Sequence, residues 1–557
     1  MPKQHAEYNN AKTEKVSTFY TKLKETAVSS TGVFDSASAG AFIADAQSLS
    51  ASITGVEVPE NLQILFDESG DGRAGIAGAI LDGAAFYEAE HGVEPTADVL
   101  EWAIHQAYAT SESARSKYKL DSASNLAHDP MSLQQNRAVI SITAAMAEAI
   151  PVANYLPADI GSNEAPLVIV SHEAGSTFGH YGAGDLMDGV LSGRAYTSAQ
   201  RTHLLKRTGD DFGGKVTPIQ LTADTCDQDA PSAKLLKGRT IIYINGLPVA
   251  KETSADAPAS ASPISGYVRL GGTLFTVSGS MNSDTGAVKV TTVPALPANT
   301  PVIAEAVIDF ENNKGIIPIV NTIATRFLLR ASPWKANAFV STDSQTQMAN
   351  EIGLNPMGES MLAIRNQFAN ERHYQVLEKA ARIGANNAMV WDFKWDTQGL
   401  EKTRAQIWQD GSCILGAASQ QMAEDTMDHG ITHLYVSKKM AAMIQGLPST
   451  LFVPSGVTAR PGIYRVGRLF GMYEVYYSPR IVDVDQKTTR IICIGRSTQV
   501  ARNPFVLGDA VAPMLINMNA DEDQRYKQGF YARNFTAVNP HLPSAMGCAV
   551  IEVINLD

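Results

Sequence analysis

The stretch "RPGIYRVGRLFGMYEVYYSP", residues 460–479, reads as two strands, "GIYRVGRL" and "YEVYYSP", joined through Phe470, Gly471 and Met472. Apolar and aromatic residues line both runs, and no catalytic group stands among them. Gly471 sits where the chain reverses, a place that commonly demands a positive φ, which glycine adopts at little cost. Gly467 lies within a strand, where a missing side chain marks a bulge or the close approach of another backbone. Two further extended runs follow, "TTRIICIGRST" and "PFVLGDAVAPML".

Upstream of this hairpin the sequence predicts a long helix over 355–383. Asn355 can accept hydrogen bonds from the first free amides, Pro356 has its ring-fixed angle at the first helical position, and Glu359 suits the positive end of the dipole. Met361, Ile364 and Phe368, then Tyr374, Leu377 and Ala381, give two apolar patches, and Arg382 with Gly384 supplies the stop. A helix of that length braces something. Downstream, "GFYARNFTAVNPHLPSAMGCAVIEVINL" reads as two extended runs flanking Pro540 and Pro543.

The remainder is less uniform. Residues 1 to about 150 read mainly helical, with Val99, Trp102, Ala103 and Gln106 at helical spacing after Thr96, a candidate N-cap, in "TADVLEWAIHQAYATSESARSKYKL". From Leu167 to Lys215 the chain is extended and glycine-rich, with few large apolar residues. That composition predicts a segment that packs on another copy of the chain rather than on its own core. Arg194, Arg201, Lys206 and Arg207 give it a basic edge, which predicts contact with carboxylates of a neighbouring subunit. The block 232–312 then holds strand-like runs, "RTIIYINGLPV", "GYVRLGGTLFTVSG", "GAVKVTTV" and "TPVIAEAVIDF", which predict a compact antiparallel insertion.

At 557 residues the chain exceeds a single core, and 44% hydrophobic with 18% charged residues marks it as globular. A net charge of -12 argues against coating nucleic acid, which needs clustered Lys and Arg, and favours solubility. The start, "MPKQHAEYNNAKTEK", has no apolar core of a secretory signal, and no run is long enough to cross a bilayer. The expectation is a soluble protein made in the cytosol, with no membrane association. Cys226, Cys413, Cys493 and Cys548 show no metal-type pairing, so most read as small apolar side chains.

Several motifs imitate chemistry. In "RTGDDFGGKVTP", residues 207–218, Gly209, Gly214 and Lys215 have the spacing of a phosphate-binding loop. Val216 cannot ligate magnesium, Asp210 and Asp211 would repel phosphate, and Pro218 stands where a helix should begin. "FDESGDGRAGIAG" places Asp67, Ser69, Asp71 and Gly72 as in a calcium loop, but Gly78 occupies the closing bidentate position. His172, Glu173 and His180 resemble zinc ligands, yet Ser176 stands where a second helical histidine belongs. His429 and His433 flank β-branched residues and predict a helix end followed by a strand. No catalytic, cofactor or metal residue is assigned.

The hairpin, the "TTRIICIGRST" strand and the Gly-Asp-Ala stretch that follows resemble the axial domain of major capsid proteins of tailed bacteriophages, the Hong Kong 97-like capsid fold. "ITHLYVSKKMAAMIQGLP" is similar to the strand and short helix that begin that domain, 355–383 to the family's spine helix, and "YARNFTAVNPHLP" to its returning peripheral strand. The resemblance implies an α+β fold with an N-terminal arm and helical region over 1–150 and an extended loop over 151–220. It further implies an inserted β domain over 221–315, a peripheral domain over 316–425, an axial domain over 426–515 and peripheral strands over 516–557. It also implies a function: self-assembly into hexamers and pentamers of an icosahedral shell around double-stranded DNA, packaged without sequence-specific contact and, in an acidic chain, not gripped by the lining. Other copies of the chain are then the main partners, with portal, scaffold and decoration proteins beside them, and the location is the virion capsid after synthesis in the host cytoplasm. A tail sheath or tube protein is the structural alternative. A metal-dependent hydrolase using His172 and His180 is the enzymatic one.

Overall fold

The computed structural model describes residues 2–28, 34–48, 55–109, 131–156, 164–189, 192–221, 229–254, 256–351, 353, 355–481, 483–485, 487–518 and 525–556. Cys226 and the stretch 110–120 of the expected early helix lie outside them. The chain divides into two compact units, Met1–Ile169 with Arg326–Asp557, and Val170–Thr325.

The first unit mixes helices and sheets. Among the described residues the helices Pro2–Ala27, Ser36–Gln47, Glu60–Ser69, Arg73–His91, Ala97–Ala109 and Met131–Glu148 come first. Local chemistry sets their ends. The Asp35 carboxylate accepts from the Ala37 amide, and Gly92 adopts the left-handed conformation (φ 71°) that closes the helix Arg73–His91. Phe19, Phe66, Tyr87, Leu100, Trp102 and Ile142 on these helices share one core with Val376, Leu377 and Ala380 and with Tyr435, Tyr476, Ile492 and Ile494. The N-terminal region is therefore a built-in layer of the first unit, not a separate arm.

A seven-stranded mixed sheet lies against that layer. Its order is Ala388–Asp392, Cys548–Ile554, Thr489–Ile494, His433–Val436, Tyr473–Tyr477, Tyr464–Leu469 and Phe452–Pro454. Strand period decides its two faces. Leu434, Val436, Val475, Ile491, Cys493, Ile551 and Val553 point the other way, onto Trp408, Leu415, Met440 and Ile444 of the helices Arg404–Thr426 and Lys438–Gln445.

A four-stranded sheet, ordered Asn154–Tyr155, Phe505–Met518, Arg525–Val538 and Ser332–Ser341, packs on the long helix Pro356–Gly384. The Phe368 ring meets Trp334 edge-on at 5.1 Å and Phe530 at 5.2 Å. Asn355 caps the helix by accepting from the Met357 and Gly358 amides, and the helix spans about 40 Å. The strands around the expected segment 516–557 divide between two sheets. Strand Phe505–Met518 joins the four-stranded sheet, and Cys548–Ile554 belongs to the seven-stranded one.

The second unit is a nine-stranded antiparallel sheet, ordered Gln200–Leu204, Val302–Val307, Ile241–Ile244, Leu247–Glu252, Ser262–Leu270, Thr273–Met281, Ala287–Val293, Asp211–Lys215 and Lys206–Thr208. Its first and last strands are consecutive in the chain, separated by Leu205 alone. One extended stretch thus pairs with both edges and closes a barrel. Small residues make room for large ones inside it: Ala304 stands opposite His203, and Ala306 opposite Arg201.

This arrangement overturns the expectation that 167–215 cannot bury itself, and with it the boundary between 151–220 and 221–315. Phe178, Tyr181, Tyr196, Leu205, Phe212 and Val216 belong to the barrel's own core. A few aromatic side chains supply the area that a count of glycines conceals.

Among the described residues no helix is long and apolar enough to cross a membrane.

Candidate assembly surfaces

Strands Glu164–Ala174 and Val320–Arg330 pair with one another and form a sheet of two, and the end of the first also meets 184–187 through the Glu173–Leu186 bridge and the Met187 amide, which donates to the His172 carbonyl at 2.9 Å. At the base Ala165, Leu167, Ile169 and Leu329 are buried against Leu156, Val506 and Phe535. Further along, the side chains of 320–326 are exposed without alternation, including Val320 at 49% and Ile323 at 37%, and the preceding Ile319 stands at 54%. A two-stranded ribbon is marginal in water, and apolar residues on an uncovered one are a docking signal.

The hairpin Tyr464–Leu469 with Tyr473–Tyr477 presents a second surface. Phe470 (φ 53°) and Gly471 (φ 69°) both occupy the left-handed region, and the Met472 amide donates to the Leu469 carbonyl at 3.1 Å, the geometry of a type I′ turn. An aromatic residue rarely adopts that conformation. Phe470 is held in it by packing on the sheet core and by its amide, which donates to the Leu451 carbonyl at 2.7 Å. Gly467 follows a bulge, and a Cβ placed there would lie 2.2 Å from the Val453 carbonyl oxygen. Between the strands the Glu474 carboxylate accepts from Arg465 Nε at 2.6 Å and Arg468 Nε at 2.7 Å, while Met472 stands exposed at the tip.

The four basic residues picked out by charge separate. Arg194 and Lys206 are exposed. Arg207 is exposed too but turns onto its own unit, donating to the Gly209 and Pro297 carbonyls at 3.0 and 3.1 Å. Arg201 is a correction. Its side chain lies inside the barrel, donates to the carbonyls of Pro218 (3.0 Å), Ser198 (2.8 Å) and Gln200 (2.6 Å), and stacks over the Phe178 ring at 4.3 Å. Backbone carbonyls accept from Nε and Nη1 of the guanidinium there, so it is no part of an exposed edge.

The stretch 207–218 forms the hairpin Lys206–Thr208 with Asp211–Lys215, turning at Gly209 (φ 69°), with no helix to receive a phosphate. His172 faces Asp188 at 3.1 Å, and no group of three His, Cys, Asp or Glu side chains that could hold a metal occurs among the described residues.

Two buried polar groupings escaped the sequence. Asp509 accepts from the Trp102 indole at 2.6 Å and pairs with Arg372 at 3.2 Å. His91 and His373 reach the hydroxyls of Tyr476 and Tyr435 at 3.1 and 3.0 Å. Helical spacing already placed Trp102 and Gln106 on one face, but their partner lies 407 residues from Trp102.

No family model and no curated protein matches the chain. Among solved structures it is similar to the jumbo bacteriophage PhiKZ capsid, at 9% identity and TM-score 0.34, covering 72% of this chain and 91% of that one. It is also similar to a chain of Microbacterium phage Oxtober96, at 13% identity and TM-score 0.29, covering 60% and 95%. A third likeness is to the SrpI encapsulin of Synechococcus elongatus PCC 7942, at 12% identity and TM-score 0.25, covering 43% and 78%. At TM-scores below 0.5 these likenesses do not assign a fold.

Proposed function

We propose that this chain is the major capsid protein of a tailed bacteriophage, one that assembles with copies of itself into the hexamers and pentamers of a closed shell around double-stranded DNA. The observation that carries the reading is the ribbon Glu164–Ala174 with Val320–Arg330, where Val320, Ile323 and the preceding Ile319 are exposed apolar side chains that no described residue covers. Identical neighbours supply such a surface at no cost in genes, and closed symmetry satisfies every copy alike. The capsid-like sequence of 460–479 and the long brace Pro356–Gly384 support the same reading. Arg194 and Lys206, both exposed, are the basic residues left to meet carboxylates of a neighbour.

Negative-stain microscopy of the purified chain at assembly concentrations tests this. Closed shells are the expected product. Helical tubes would favour a tail sheath or tube protein, and a chain that stays monomeric in the presence of crowding agents and salt would remove the capsid reading.

A further inference from the structure

Three histidines from three segments converge on one pair of tyrosines. Tyr435 and Tyr476, on adjacent parallel strands, stack at 5.3 Å inside the first unit. His91, the last residue of the helix Arg73–His91, bonds the Tyr476 hydroxyl through Nδ1 at 3.1 Å, and its ring lies 4.4 Å from Tyr87. His373 on the long helix bonds the Tyr435 hydroxyl through Nε2 at 3.0 Å. His433 lies 5.9 Å from the Tyr476 ring and meets Thr432 Oγ1 at 2.7 Å.

The charges that face this cluster give an imidazolium no counter-ion. Arg465 comes from the hairpin, Arg460 from the segment before it and Arg496 from the loop after strand Thr489–Ile494. Each carboxylate in reach is already committed: Glu474 to Arg465 and Arg468, Asp98 to Arg496, and Glu90 to Arg460. Burial is the main cause, with the arginines adding to it, that holds His91 and His433 down at about 3, and burial alone holds His373 at about 4.

We infer that His91, His373 and His433 form an acid-released latch around the Tyr435–Tyr476 pair, in which His91 fastens the C-terminal end of the helix Arg73–His91 to the sheet while the cluster is neutral and lets it go when the cluster is protonated. Release is local because the next helix, Ala97–Ala109, is held separately by the Trp102–Asp509 and Arg496–Thr96 bonds. The sign follows from linkage: the released imidazoles titrate near their ordinary value, so the open state binds more protons below it. The latch is complete above about pH 6.5 and weakens as pH falls toward 4, the closed-to-open ratio dropping up to tenfold per pH unit for each histidine exposed. The inference is independent of whether the chain builds shells.

Hydrogen exchange read by mass spectrometry on the full chain, at about pH 7.5 and about pH 5 and corrected for the intrinsic rate, tests it. Amides over 84–91 and 473–477 should lose protection at the lower pH by about tenfold or more, while Thr489–Ile494 and Cys548–Ile554 keep theirs. Unchanged protection, or an equal loss in all four segments, would overturn the latch. In a folded His91→Gln/His433→Gln chain the pH response should shrink, and a full response in that variant would overturn it too. Should the variant not fold, the segment pattern of the wild-type chain decides by itself.

Discussion

The Trp102 indole donates to the Asp509 carboxylate at 2.6 Å, so the helix Ala97–Ala109 is tied to strand Phe505–Met518 by a group that also neutralises Arg372. Both members of the Arg372–Asp509 pair are buried, at 6% and 3% side-chain exposure. Replacing Asp509 with Ala leaves a guanidinium without its counter-charge and should cost about 3–5 kcal/mol, read as a fall in the urea midpoint. The double change Arg372→Met/Asp509→Leu should recover much of that loss. A single Asp509→Ala chain that unfolds at the wild-type urea concentration would contradict the pairing.

In the turn at Phe470 and Gly471 the strain is in the backbone. A Cβ at Gly471 meets nothing within 4 Å, yet φ is 69°. Gly471→Val should therefore destabilise by about 1–3 kcal/mol and raise aggregation during thermal melts. Gly467→Ala acts by collision instead, since its Cβ would press on the Val453 carbonyl and the Phe452 ring. If Gly467→Ala melts with the wild type, the close approach of these strands is wrong.

Arg201 and Lys206 should respond oppositely to charge reversal. Arg201→Glu puts an anion among the carbonyls of Pro218, Ser198 and Gln200 and should abolish soluble protein with a folded barrel. Lys206→Glu, on an exposed position, should melt within about 0.5 kcal/mol of wild type. Circular dichroism melts of the two purified variants compare them directly.

Val320→Asp with Ile323→Asp tests the ribbon. Both side chains are exposed, so the isolated chain should keep its melting temperature. Sedimentation in sucrose should show loss of particles. Normal particles from this double variant would remove the ribbon as an assembly surface.

The thiols should sort by burial. Cys413 is exposed, whereas burial pushes Cys493 and Cys548 far above the ordinary thiol range. Iodoacetamide at neutral pH should modify Cys413 in the native chain and reach Cys493 and Cys548 only after denaturation, as peptide mapping would show. Native modification of Cys493 would mean that the sheet opens.

What local chemistry decides could be read directly from the residues. Asn355 and Pro356 mark a helix start because the amides they satisfy or replace are their own neighbours. The Phe470–Gly471 reversal is of the same kind. The barrel was hidden because closure depends on partners far apart, such as Leu204 opposite Ile303, and because glycine content outweighed four buried aromatic residues and Leu205 over 167–215. Arg201 misled for a related reason: a cation in sequence does not reveal that backbone carbonyls enclose it. The tyrosine and histidine cluster draws on residues from 87 to 476, a span over which no periodicity operates.

Chain enters and leaves the barrel side by side, the Gly175 amide donating to the Ile319 carbonyl at 2.6 Å. To the ribbon that carries it, the whole of 176–318 is topologically equivalent to a tight turn. Closing a longer loop between fixed ends costs only slowly more as the loop grows. The position is therefore a natural graft point, where a short Asn-Gly turn, a reporter domain or an antigen could replace the barrel while leaving the strand register on either side unchanged.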